Sequence, residues 1–158
     1  MDTAAIYNFL SLQNSGNLSA LFEGFRVDEN REQTTQELAA DLVAGKVDVH
    51  SVPVLIDLIM TPRDSISHRA VRYLLRQSND KIILDKVLWN LEGYAIEGYT
   101  EDLISLYKRS QEPLVKLKIL FCFLQSFDHQ EHVFVNDHRN DTAYVEEYGM
   151  TIEEVLKR

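Results

Sequence analysis

Apolar residues recur along this chain every three to four positions, which is the spacing of one face of an α-helix. Leu18, Leu21 and Phe25 show this spacing near the amino terminus, and comparable sets follow along most of the sequence. A sheet-based core needs alternation at every second position instead. The periodicity therefore predicts an all-α fold for the 158 residues.

Local signals predict where the helices begin and end. A capping box is predicted at Thr34 with Glu37, and Gly45 is placed to stop the same helix in a left-handed conformation. Further starts are predicted at the following positions: Ser51 with Pro53, Asp64, Asp80, Thr100 and Pro113. The segment 128–141 is polar, so we expect a loop with a short extended piece there. Two short helices are expected after it, at 144–148 and from Thr151.

The size of the chain favours a single helical domain spanning 1–158, because about 100–200 residues is the usual domain length. Within it we expect amino-terminal helices over 1–50, helix pairs over 51–127, and an acidic loop with short terminal helices over 128–158. Apolar residues make up 45% of the sequence, which is enough for a stable core. A multi-helical bundle is the alternative to stacked pairs.

An internal repeat supports stacked pairs. An offset of 48 residues aligns Leu55-Ile56-Asp57-Leu58 with Leu103-Ile104-Ser105-Leu106, and the match continues to Gln125-Ser126. The segments 52–58 and 64–71 carry a Pro-led helix followed by an Asp-started helix, which resembles HEAT-type repeats. The resemblance implies a short solenoid of antiparallel helix pairs. It also implies a scaffold or adaptor that binds a cellular partner.

The net charge limits the classes of partner that the chain is expected to bind. The chain carries −9 at pH 7, so it repels phosphate backbones, and we expect no direct nucleic-acid binding. A basic protein partner is favoured instead. Cys122 is the single cysteine, no basic leader precedes the first helix, and no apolar run approaches a bilayer span. We therefore expect a cytoplasmic protein without membrane insertion.

The sequence contains none of the common phosphate-binding, dinucleotide-binding or hydrolase motifs. Cys122 lies in an apolar run and is predicted to be buried filler, so we expect neither catalytic residues nor a cofactor. The alternative is a metal-dependent enzyme that uses His129, His132 and His138, because imidazole with nearby carboxylates suits zinc or manganese. The spacing of these residues does not settle the question, because His129 and His132 would share a face only in a helix. We expect no bound metal, since clusters of this composition are often solvated loops.

The connection 93–102 places two tyrosines among acids and contains no Lys or Arg. Tyrosines are enriched at binding hot spots, and the acids would select a basic partner. Acids of the carboxy-terminal segment would extend this surface. The predicted partner-binding residues are Tyr94, Glu97, Tyr99, Glu101, Asp102, Asp128, Glu131, Asp137 and Asp141.

In general character rather than by any motif, the chain resembles the all-α immunity proteins of bacterial toxin systems. The resemblance implies an inhibitor that occludes a basic toxin domain. The scaffold and the metal enzyme above are the two rivals of this hypothesis.

Overall fold

A computed structural model describes residues 1–12, 17–92, 96 and 98–158. The chain is all-α, as predicted. Within these ranges the only strands are two short ones of two residues each, which pair as a hairpin. The elements are α1 Thr3–Ser11, α2 Leu18–Arg26, α3 Arg31–Val43, α4 Val52–Met60, α5 Ser65–Gln77, α6 Lys81–Leu91, α7 Thr100–Arg109, α8 Pro113–Leu124, α9 His129–His138, β1 Tyr144–Val145, β2 Met150–Thr151 and α10 Ile152–Leu156. None of the described helices is both long enough and apolar enough to cross a bilayer.

The chain divides into two compact units, Met1–Ser78 and Asn79–Arg158. This division falls inside the segment 51–127, which the sequence analysis treats as one set of helix pairs. Unit 1 contains α1 to α5, and unit 2 contains α6 to α10 together with the hairpin.

Alternate helices of unit 1 run in the same direction. The hydroxyl of Thr3 donates to Glu37 at 2.6 Å and that of Tyr7 donates to Asp41 at 2.8 Å, so α1 and α3 advance together. The beginnings of α3 and α5 also lie side by side, because Arg31 forms an ion pair with the N-cap residue of α5, Asp64. This arrangement is expected when antiparallel helix pairs stack.

Local chemistry sets the helix ends of unit 1. Pro53 lies in the first turn of α4, and Asp64 accepts a hydrogen bond from the amide of Ser67 at 3.1 Å, both as predicted. Gly45 has a φ of 71°, and the amide of Lys46 reaches back to the carbonyl of Asp41 at 3.0 Å, which completes a Schellman stop. The capping box predicted at Thr34 is wrong, because α3 already begins at Arg31.

Unit 2 repeats the parallel arrangement. Lys118 of α8 lies beside Asp85 of α6, and one turn further along Cys122 lies beside Leu88, so these two helices advance together. The helices α7 and α9 also run in parallel, since Thr100 contacts Glu131 and Tyr107 contacts His138. The apolar helix α8 packs against α6, α7 and α9, and it is the core element of this unit.

The segments aligned by the offset of 48 residues contribute six buried core residues: Leu55, Leu58, Leu103, Leu106, Ile119 and Phe123. The spacing of the repeat differs from the prediction. Hydrogen bonds between parallel helices join residues that are 34, 33 or 31 positions apart. An offset of 48 residues instead pairs α4 with α7, which is three helices further along. Membership of the HEAT class stays a prediction.

The carboxy-terminal segment departs most from the sequence analysis. Where a loop is predicted, residues His129–His138 form α9, which begins at the N-cap residue Asp128. Where a helix is predicted at 144–148, β1 pairs antiparallel with β2 instead. The capping box of Thr151 with Glu154 is confirmed at the start of α10.

Candidate functional site

The beginnings of α7 and α9 lie next to each other in unit 2. The hydroxyl of Thr100 donates to the carboxylate of Glu131, and the amide of Glu131 donates to Asp128 at 3.2 Å. Glu101 and Asp102 occupy the first turn of α7. These contacts bring together two acidic segments that are far apart in the sequence.

The predicted partner-binding residues differ in their access to solvent. Glu101, Asp128 and Asp137 are exposed, and Asp102 and Asp141 are partly exposed. Tyr94 and Glu97 lie outside the described residues. The accessible members of the predicted set are therefore acids.

The prediction that Tyr99 and Glu131 belong to the binding surface is wrong, because both side chains are buried. Tyr99 has 1% of its surface exposed, because it precedes α7 directly and its side chain joins the core. Glu131 has 2% exposed, because it lies on α9 and bonds Thr100. Neither side chain is accessible to a partner in this structure.

Asp141 lies at the other end of the α7–α9 pair. Its carboxylate accepts hydrogen bonds from the hydroxyl of Tyr107 at 2.7 Å and from the amide of Ala143 at 2.9 Å. Burial acts to raise its pKa, but these hydrogen bonds and the charge of Lys116 outweigh burial and hold the pKa of Asp141 below its usual value. Asp141 therefore has a structural partner and is separated from Asp128 by the length of α9, about 15 Å.

Phe127 is an exposed aromatic residue beside these acids that was not among the predicted binding residues. The hydrophobic sequence from Leu114 to Phe127 predicts a core segment, yet the side chain of Phe127 is fully exposed, because α8 ends at Leu124. It directly precedes Asp128. Its position beyond the last periodic residue of α8 is the one signal in the sequence that separates it from the core residues. We call Glu101, Asp102, Phe127 and Asp128 the acidic edge.

Cys122 is placed as predicted. It is buried, and its thiol faces the carbonyl of Leu88 at 3.6 Å. Burial is the main reason that the pKa of the Cys122 thiol rises to about 12. The thiolate is the reactive form of cysteine, so this environment suppresses nucleophilic chemistry.

Two of the three histidines of α9 contact backbone carbonyls. His132 pairs through Nε2 with the carbonyl of Ser126, and His138 pairs through Nδ1 with that of Phe134 at 2.8 Å. The ring of His138 also stacks on the ring of Phe134. In the described part of the chain, no three His, Cys, Asp or Glu side chains are grouped so that they could hold one metal ion.

The fold and this surface define the chain as an all-α protein with an acidic, partly apolar edge in its second unit. Comparison with models of protein families, with curated proteins and with solved structures finds no match.

Proposed function

We propose that this chain is a protein-binding module whose acidic edge docks on a basic protein. The observation that carries the proposal is the exposed ring of Phe127 next to Asp128 and the acids of the first turn of α7. The first turns of α7 and α9 contain no Lys or Arg. An exposed aromatic side chain beside several acidic side chains is typical of an interface with a basic partner.

The two kinds of residue would act on different steps of binding. Phe127 would become desolvated in a pocket of the partner and would control dissociation, as central aromatic residues do. Glu101 and Asp128 would attract the basic surface over distance and would control association. Two helix N-termini linked by the bond between Thr100 and Glu131 would hold both kinds of residue in place.

The partner class that we favour is a basic toxin domain, with the chain acting as its immunity protein. Two features support this proposal: the net charge of −9 and the acidic edge. Occlusion would be the mechanism, because carboxylates bound over a basic groove exclude a nucleic-acid substrate by charge and by volume.

The first test is co-purification of the chain with the product of the adjacent gene. Surface plasmon resonance on the purified pair then compares Phe127→Ala and Glu101→Lys with the wild type. We expect Phe127→Ala to raise the dissociation rate by about tenfold or more, and Glu101→Lys mainly to lower the association rate. The matched control is Glu29→Lys, an exposed acid of unit 1. Wild-type kinetics in both edge variants would place the interface elsewhere.

A scaffold or adaptor is the second candidate, and the parallel alternate helices within each unit favour it, because helical repeats commonly bind peptides or helices. The identity of the partner separates the two. An immunity protein restores growth to cells that express the toxin, whereas an adaptor gives no such protection. Loss of protection in Phe127→Ala would support the first candidate and contradict the second.

A further inference from the structure

One face of α6 carries an acid, a tryptophan and a second acid in a row. Asp85, Trp89 and Glu92 are spaced i, i+4 and i+7, so the three side chains share that face. Trp89 is 60% exposed, although the apolar sequence of α6 predicts a central, buried helix. We call these three residues the α6 stripe.

Lys118 of α8 lies beneath the α6 stripe. Its side chain is only 7% exposed, and its Nζ is 3.6 Å from Asp85 Oδ1 and 4.0 Å from Glu92 Oε1. The same Nζ lies 4.7 Å from the centroid of the Trp89 ring. These contacts hold two carboxylates and the indole around one buried ammonium group.

Within the residues that the structure describes, the two carboxylates of the α6 stripe lack hydrogen-bond partners on one side, and their charges are only partly neutralised. The two carboxylate oxygens nearest Lys118 are buried and have no hydrogen-bond partner among the described residues, since 3.6 Å and 4.0 Å exceed hydrogen-bond length. Two carboxylates face one ammonium, which leaves one negative charge uncompensated. Burial, together with the smaller effect of the charge on Asp85, outweighs the charge of Lys118 and raises the pKa of Glu92. A second cation on the solvent side of the two carboxylates would compensate this charge.

The remaining surface of the α6 stripe is open to such a cation. The side chain of Asp85 is 42% exposed and that of Glu92 is 22% exposed, so both carboxylates reach solvent beside the indole. A planar guanidinium can stack flat on an aromatic ring and donate parallel, bidentate hydrogen bonds to a carboxylate, whereas an ammonium is a compact point charge without this planar geometry. The carboxylates would then lie between the incoming cation and Lys118.

We propose that the α6 stripe binds an arginine side chain of the basic partner, with the guanidinium stacked on Trp89 and bonded to Asp85 and Glu92. This inference rests on the proposed function, because it assumes a basic partner. It adds a second contact region to the acidic edge and specifies arginine rather than lysine. Lys118 acts as a positioning residue, because it orients both carboxylates from below.

Trp89 is the single tryptophan of the chain, so its fluorescence reports directly on this site. The full chain is titrated at low salt with an octapeptide of alternating Arg and Gly, and separately with the matching Lys and Gly peptide. We expect a saturable change in Trp89 emission, with the Arg peptide bound about fivefold or more tightly than the Lys peptide.

Variants of the α6 stripe test whether the Arg peptide binds at these residues. Asp85→Asn and Glu92→Gln should each weaken Arg-peptide binding by about fivefold or more, while Glu29→Gln should bind like the wild type. Circular dichroism checks that the variants are folded. Trp89→Phe, measured by calorimetry, should also weaken binding, and this variant keeps the test decisive if an acid variant fails to fold.

The possible outcomes separate this inference from the proposed function. Equal binding of both peptides, wild-type binding by the stripe variants, or no binding of either peptide would overturn the arginine site. None of these results bears on the acidic edge, which Phe127→Ala tests with the folded partner. Loss of Arg-peptide binding in Glu101→Lys but not in Asp85→Asn would likewise assign the peptide to the edge and overturn the inference.

Discussion

At the scale of single residues, Cys122 shows how burial controls reactivity. Its thiol pKa of about 12 means that almost none of it is thiolate at pH 8. We expect the folded chain to react with Ellman's reagent far more slowly than the chain in guanidinium chloride, with one thiol released per chain after unfolding. Rapid labelling of the folded protein would contradict the buried assignment. Cys122→Ala should retain partner binding.

Asp64 links an ion pair to a helix cap. The hydrogen bond from Arg31 is the main reason that the pKa of Asp64 lies below its usual value, and Arg31 itself is buried. A depressed carboxyl pKa stabilises the fold above the unfolded pKa of about 4, and this stabilisation is lost as pH falls through the folded value. Ionised Asp64 therefore contributes fully at neutral pH.

Replacement by asparagine isolates the charge, because the amide oxygen can still cap α5. Because the Asp64 side chain is 40% exposed and solvent screens its charge, we expect Asp64→Asn to lower the free energy of unfolding by only about 1 kcal/mol at pH 7 and by much less at pH 3. Urea unfolding at the two pH values measures both quantities. The exposed Asp48, replaced by Asn, is the control. An equal loss at both pH values would show that the charge of Asp64 has no special role.

At the scale of elements, α8 and the residues that follow it contain two phenylalanines with opposite surroundings. Phe123 is fully buried and packs edge-on against Phe134 of α9, whereas Phe127 lies beyond the end of the helix in solvent. We expect Phe123→Ala to cost about 3–5 kcal/mol of stability and Phe127→Ala to cost almost nothing. Thermal unfolding of the two variants checks this. Similar losses in both would mean that the ring of Phe127 is packed in the folded protein.

The helix ends were largely predictable because capping depends on a few neighbouring residues. Asp64, Asp80 and Thr151 accept hydrogen bonds from the first turns that they were predicted to cap. The helix α9 was missed because polar residues dominate it and only Phe134 and Val135 supply buried apolar surface. Its helical state depends on packing against α8 rather than on a periodic pattern.

Burial was the less predictable part of the site. Trp89 was assigned to a buried helix and is exposed, while Tyr99 was assigned to a binding turn and is buried. Both assignments follow composition, but which face of a helix meets its neighbours is set by tertiary contacts. For the same reason no pattern along the sequence could place Lys118 beneath Asp85 and Glu92, because they lie on different helices.

At the scale of the whole molecule, the net charge of −9 bears on the proposed binding of a basic partner. Steering by charge is screened beyond about 8 Å at physiological ionic strength. We expect the association rate with a basic partner to fall by about tenfold or more between 20 mM and 500 mM salt, with a much smaller change in dissociation. Stopped-flow mixing across that range measures the rates. A salt-independent association rate would exclude electrostatic steering.

The parallel helices also bear on how quickly the chain folds. Within each unit, a helix contacts its neighbours in the sequence and also the helix two places before it, and hydrogen bonds between such parallel helices join residues only 31 to 34 positions apart. The entropy lost in closing such a loop is modest and is similar at every step. Each newly formed helix can therefore dock on the one two places before it, so folding of a unit proceeds by short-range steps and can begin while the rest of the chain is still being synthesised.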